Sequence, residues 1–381
     1  MYFSQYIVAH MLKYYNMYGT IFKGRFTMAK TKYYDGTKLL SLSDINGNKP
    51  EIYICTTNRT GGKTTYFSRL LMNNFFKRGE KFALLYRFNY ELDNIADKFF
   101  KDIGGLFFPE WYMKSEKRAK GVFHELFIYK KGVQEPEPVH VGYAISLNNA
   151  DQIKKYSHLF SDVCRILFDE FQSETNHYCP DELRKFISVH TSIARGQGEQ
   201  IRYVPVYMLS NPVSIINPYY VEMGISERLK SDTNFLRGDG FVLEQGFIES
   251  ASIAQKTSGF NKAFAGNEYV AYSAECVYLN DNTAFIEKPE GVGRYLGTLK
   301  YMGNEFGLRE FADLGIVYCD NRPDSTYPYK ISVTTDDHNV NYVMLRRNDM
   351  FVAQMRYLFE RGAFRFKDLR CKEAVMKMIS Y

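Results

Sequence analysis

Residues 51–71, EIYICTTNRTGGKTTYFSRLL, constrain the fold of this chain more than any other stretch. The run at 52–55 is apolar and β-branched, the composition of a buried strand. After a polar turn, Phe67, Leu70 and Leu71 recur at helical spacing. At the join stand Gly61, Gly62, Lys63 and Thr64. Strand, glycine loop, lysine, hydroxyl residue and helix together make a phosphate-binding loop. Its successive backbone N–H groups and the positive end of the helix cradle an oligophosphate. In such a loop Lys63 reaches the β- and γ-phosphates of ATP and the Thr64 hydroxyl ligates Mg²⁺. Thr57, Asn58, Arg59, Thr60 and Thr65 complete the nucleotide-facing segment. The pattern G-x-x-x-x-G-K-[ST] places its first glycine at position 57, where this chain has threonine. Taken alone, the motif therefore leaves open an ordinary strand-to-helix turn with an exposed lysine.

The rest of the chain supplies what a nucleotide loop needs. Its 381 residues suffice for two domains with buried cores. No stretch approaches the roughly 18–20 uninterrupted apolar residues of a membrane span. The six cysteines are scattered, without a CxxC pair, so a zinc site or disulfide framework is not expected and a reducing compartment is. The net charge of +6 is compatible with a nucleic-acid partner without requiring one. A strand is expected at 82–87 and an amphipathic helix at 91–103 ended by Gly104–Gly105. Strands at 121–147 around a Lys130-Lys131-Gly132 turn and a helix at 151–160 should follow. Strands alternating with helices imply an α/β fold with a mostly parallel sheet covered on both faces.

CRILFDEF at 164–171 is the acidic element that the loop requires. An apolar strand ending in Asp-Glu puts Asp169 at the carboxyl edge of the sheet, where it can hold Mg²⁺. Glu170, one residue on, can polarise an attacking water as general base. A helix at 180–195, with Leu183, Phe186, Ile187 and Ile193 on its apolar face, ends at the glycine-flanked Arg195. The next strand, 203–209, delivers Ser210 and Asn211 to the same carboxyl edge, where a polar pair can sense the γ-phosphate. Arg195 also reads as a solvated helix-end charge, and Asn211 as a turn residue before Pro212.

With these motifs in order, the chain beyond about residue 45 resembles the DNA-encapsidation ATPases of small podophages whose DNA carries a terminal protein. The resemblance rests on TNRTGGKT, YRFNYEL, ILFDEF, SIARG, LSNPVSIINPYY, FIEK and VTTDDHN. It implies a P-loop NTPase domain of the additional-strand, catalytic-glutamate type at 46–225. A lid or linker region would occupy 226–282, and an α+β RNase H-like domain, a vestigial nuclease, 283–381. It also implies ATP and Mg²⁺ as cofactors. Lys63 would be the phosphate-loop lysine, Thr64 and Asp169 the Mg²⁺ residues, Glu170 the catalytic glutamate and Asn211 part of the coupling motif. Arg195 would be the trans-acting arginine finger, with Arg202 as the competing assignment. The implied partners are double-stranded DNA, gripped by its phosphates without sequence preference, and further copies in a homo-oligomeric ring, a pentamer. The phage portal and a scaffold RNA complete the set. The implied place is the portal vertex of the procapsid in the host cytoplasm.

Two other readings remain at this level. In one the C-terminal domain is a live nuclease, which needs carboxylates around two metals roughly 4 Å apart; Asp320, Asp336 and Asp337 are the acids available. In the other the loop is degenerate and the chain is a portal adaptor. Three basic stretches are candidate nucleic-acid contacts: the aromatic N-terminal extension at 1–45, KSEKRAK at 114–120, and residues 342–381 with nine Lys/Arg against four Asp/Glu.

Overall fold

The computed structural model describes residues 33–229, 233–275, 278–279, 284–344 and 349–379. The extension up to residue 32 lies outside them, as do Arg346 and Arg347. Among the described residues no helix is long and apolar enough to cross a membrane.

The first sheet has nine strands: β1 (Ile52–Thr57), β2 (Lys81–Tyr86), β3 (Trp111–Arg118), β4 (Phe123–Lys130), β5 (Val139–Ser146), β6 (Val163–Asp169), β7 (Val206–Ser210), β8 (Phe235–Gly238) and β9 (Phe241–Gly246). Their order is β3-β4-β5-β2-β6-β7-β1-β9-β8. From β5 to β9 every neighbouring pair is parallel, and antiparallel hairpins β3–β4 and β8–β9 finish the two edges. Successive side chains leave a strand on opposite faces. Accordingly Ile54 enters one core while Tyr53 and Cys55 enter the other, and β6 likewise divides Ile166 and Phe168 from Leu167. Burial on both faces is why these strands read as continuous apolar runs instead of alternating ones.

The helices covering this sheet are α1 (Lys63–Arg78), α2 (Ile95–Phe107), α3 (Glu182–Ile193), α4 (Pro218–Glu222), α5 (Glu249–Thr257) and α6 (Glu268–Glu275). Leu92 and the α2 residues Ile95, Ala96, Phe99, Phe100 and Ile103 are all buried, as the periodicity predicts. The helix nevertheless runs through Gly104–Gly105 to Phe107. A Cβ at Gly104 would lie 2.7 Å from the Phe100 ring, so this glycine serves close packing and not termination. The segment 151–160 is one short α-turn followed by a 3₁₀ stretch. Of the apolar face expected on α3, Ile187 is 59% exposed. KSEKRAK is not a loop: it lies mostly in edge strand β3, where Arg118 pairs with Glu125 and Lys117 with Asp93. Residues 33–45 pack on the sheet domain, with Tyr34, Leu39 and Asp44 buried. Part of the region expected to be linker belongs to the sheet as well, since β9 pairs with β1 along its whole length.

The C-terminal sheet contains β10 (Arg294–Tyr301), β11 (Asn304–Phe311), β12 (Ile316–Asp320), β13 (Lys330–Ser332), β14 (Val343–Met344) and β15 (Phe364–Phe366). They are ordered β14-β13-β10-β11-β12-β15. An antiparallel meander, β10–β12, is thus extended by β13 and β14 running parallel to β10. Helices α7 (Met350–Glu360) and α8 (Leu369–Ile379) pack on it through Val352, Met355, Phe359, Cys371 and Val375. The basic terminal helix is therefore no solvated face: Lys372 and Glu373 are buried with its apolar residues. Asp320 is held by Arg309 at 2.5 Å. Asp337 accepts the Met302 and Gly303 N–H groups at 2.8 and 2.7 Å, capping the β10–β11 turn. These two acids are engaged in structural contacts. Among the described residues no cluster of three or more His, Cys, Asp or Glu is placed to hold a metal.

Candidate active site

The parallel register brings three strand ends level. Cys55 of β1 lies beside Leu209 of β7, and Leu209 beside Asp169 of β6. β7 is thus interposed between the loop-bearing strand and the acidic strand, and all three open on the same carboxyl edge. Gly62 caps α1 with a φ of 93°, and Thr60 also has a positive φ. A side chain at Gly62 would be strained there, so the turn requires glycine. Position 57 does not: Thr57 is the last residue of β1, fully buried, with its hydroxyl on the Asn58 carbonyl. The loop is instead braced from outside. The Asn58 amide donates to Ile248 O at 3.0 Å and accepts from Ile248 N at 2.9 Å.

Lys63 is buried and donates from Nζ to Asn211 Oδ1 at 2.7 Å, joining the loop to the end of β7. The Thr64 hydroxyl lies near enough to Asp169 to favour its charged form. Burial pushes the Asp169 carboxyl above its usual range, against the pull of Lys63, the Thr64 hydroxyl and the Glu170 N–H. A half-buried carboxylate beside a hydroxyl is an oxygen donor pair that fits a hard divalent cation. Glu170 is exposed and has a φ of 55°, a conformation that costs a non-glycine residue about 1–3 kcal/mol. Although the residue as a whole is exposed, partial desolvation of its carboxyl by the surrounding cleft, then the charges of Asp169 and Glu174, raise its pKa, opposed by Arg59 and Lys63. Glu170 lines a cavity of about 240 Å³ together with Arg59, Arg87, Glu174, Asn211 and Tyr272.

Arg59 was expected to face the nucleotide, whereas its partners Glu174 and Tyr272, and Glu182 further on, had no signal in the sequence. Arg59 turns to Glu174 at 2.8 Å and lies over the Tyr269 and Tyr272 rings, tying the loop to α6. The Tyr272 hydroxyl donates to the same carboxylate at 2.8 Å. Arg87, just past β2, is buried against Glu182 at 2.8 Å and donates to Phe171 O at 2.6 Å. Tyr219 of NPYY donates to Glu182 at 2.8 Å. The segment that follows Glu170 is thereby locked to the start of α3. YRFNYEL contains Arg87, but its partner is distant in the chain and invisible to any local pattern. Asn217 accepts the Tyr220 N–H at 3.0 Å, with Pro218 at the first helical position, which accounts for the NPYY signature as a helix start.

Arg195 is not part of this assembly. α3 leaves the carboxyl edge and runs back along the sheet, so Arg195 emerges beside Ser157 and the residues that lead into β6. Twelve helical residues span about 18 Å, and Arg195 therefore sits at the edge opposite its own phosphate loop. Arg202 is buried and committed to the carbonyls of Ile193 at 2.6 Å and Val163 at 3.1 Å.

The interposed strand, the glycine-capped loop and the paired acids define a P-loop NTPase fold of the additional-strand type, joined to a C-terminal α+β domain. The family model of the podovirus DNA encapsidation protein (Gp16) matches residues 28–380, and the chain belongs to that family. The DNA packaging protein of Bacillus phage phi29 is 25% identical over 343 residues, 89% of this chain and 94% of the relative. That of Bacillus phage B103 is 25% identical over 324 residues, 84% and 92% of the two chains. Among solved structures, the Phi-28 gp11 DNA packaging motor has the same fold, with a TM-score of 0.53 and 15% identity. That comparison covers 92% of this chain and 97% of the other.

Proposed function

We propose that this protein is the ATP-hydrolysing subunit of a motor that drives double-stranded DNA into a preformed capsid. Family membership supports the packaging role. The observation that carries the enzymatic reading is the convergence of Lys63, Asn211, Thr64, Asp169 and Glu170 on one sheet edge. ATP would lie with its phosphates on residues 57–65. Thr64 and Asp169 would hold Mg²⁺, which supplies charge neutralisation on the phosphate oxygens. Glu170 accepts the proton of the attacking water, and its raised proton affinity suits it to that role. Asn211, bonded to Lys63, occupies the position from which loss of the γ-phosphate is felt along β7.

Of the two candidate arginines, exposure supports Arg195 as the one that serves a neighbour. It is exposed at the far edge, whereas Arg202 is buried behind it. Hydrolysis then depends on a ring of copies, each completing the next. The DNA, the portal and the ring, a pentamer by resemblance, are the partners of this reading.

The deciding experiment is ATPase activity measured against protein concentration, with and without double-stranded DNA. A steep rise with concentration and stimulation by DNA are expected. Activity that is absent at every concentration sinks the motor and favours the adaptor reading.

A further inference from the structure

A buried lysine of the C-terminal domain reaches the loop that leaves the nucleotide site. Lys372, on α8, is 2% exposed and donates to the Ser214 hydroxyl at 2.8 Å. Lysines are rarely buried to this extent, because taking the ammonium out of water is unfavourable unless partners offset it. An apolar residue would complete the surrounding core more favourably. Packing alone is thus a poor reason for a lysine here.

The position of Ser214 gives a better one. Asn211, which accepts from Lys63, begins the segment. The Val213 and Ser214 N–H groups both donate to Gln172 Oε1, at 3.2 and 2.9 Å, and Gln172 stands two residues after Glu170. The loop is therefore bonded to the phosphate lysine on one side and to the exit of the acidic strand on the other. Two residues beyond Ser214, Ile216 is buried in the C-terminal core with Leu299, Phe306 and Val352. The Ser214 hydroxyl also donates to Ile216 O at 2.9 Å, so the lysine holds the point where the loop passes from one core to the other.

We infer that the Lys372–Ser214 contact is the joint through which nucleotide state at the phosphate loop is transmitted to the C-terminal domain, Lys372 being a positioning residue for coupling. This rests on the motor reading above. A shift at Asn211 or Gln172 moves the backbone of Val213 and Ser214, and the buried ammonium passes that shift to α8. Linkage is reciprocal, so whatever the C-terminal domain binds changes nucleotide affinity by the same factor.

The test compares the full-length protein with Lys372→Met and Ser214→Ala, singly and together. Methionine keeps the buried stem and removes the ammonium. Hydrogen exchange of residues 369–379 is followed with and without ADP and ATPγS, beside basal ATPase activity and DNA packaged per ATP. In the unmodified protein, nucleotide should change protection of α8. Each variant should lose that change and package at least tenfold less DNA per ATP, with basal ATPase activity within about twofold. The double variant should add nothing to either single one, as two residues of one contact require. A nucleotide response of α8 that survives both variants overturns the inference, as does ATPase activity that falls in step with packaging. An unmodified protein without ATPase activity refutes the motor reading instead, a different result.

Discussion

Glu170 and Arg87 illustrate how single side chains divide the labour of this site. Glu170 is held by its strained turn at the edge of the cavity, and the chemistry assigned to it needs the carboxylate itself. Glu170→Gln should retain ATP binding while turnover falls by about 10²–10⁴, the usual contribution of a positioned base. Equilibrium binding and single-turnover hydrolysis check this, and unchanged turnover removes Glu170 from the role. Arg87 and Glu182 form a pair that is almost inaccessible to water. Removing one partner leaves the other charge buried, so Glu182→Ala should cost about 3–5 kcal/mol in denaturant unfolding. A loss below 1 kcal/mol would mean that the pair is not closed in solution.

At the scale of elements, α3 has two functional ends. Its start is fixed to the exit of the acidic strand through Glu182, Arg87 and Phe171, and its other end presents Arg195 at the opposite sheet edge. If Arg195 serves a neighbour as proposed, a rigid helix between the two ends would let the state of one subunit's acids bear on the arginine of the next. Arg195→Ala alone should lower assembled-ring activity by roughly 10³–10⁵, the range for an arginine finger. Mixing Arg195→Ala with Glu170→Gln subunits should restore part of it, because an interface with one intact arginine and one intact glutamate is complete. If no mixing ratio recovers activity, the arginine does not act in trans. The helix was legible from its spacing, but Ile187 on the expected inner face is exposed. Apolar periodicity reports a stripe about 100° wide, and the neighbours decide how much of it is covered.

For the whole molecule, the main consequence is that two cores share one loop. Residues 211–217 begin at the Lys63–Asn211 contact and end inside the C-terminal core, so one short segment bonds the two cores. Of the basic stretches read from sequence, α8 buries Lys372 among its apolar residues, whereas Lys114, Lys117, Arg118 and Arg370 are exposed, Lys117 and Arg118 beside acidic partners. DNA affinity should still fall steeply with salt, with little dependence on sequence, because the expected contacts are to phosphates. Titration of two unrelated duplexes at several salt concentrations measures this. A sequence preference above about tenfold, or a flat salt response, contradicts backbone gripping.

By itself the sequence determined the strand–loop–helix at 51–71, the acidic strand at 164–171 and the alternation that makes a parallel sheet. These signals are local: a turn that demands glycine, a run of β-branched residues, a helix face. It also carried the motifs by which the family is recognised. The tertiary structure decided what depends on residues far apart in the chain. It placed β7 between β1 and β6, bonded Lys63 to Asn211, closed Arg87 on Glu182 and buried Lys372 against Ser214. It also replaced the missing glycine at 57 with an external brace, Asn58 on Ile248, which no loop pattern contains. The physical reason is the same throughout. Backbone preference is written in neighbouring residues, whereas burial and hydrogen-bond partnership are settled only when distant segments meet.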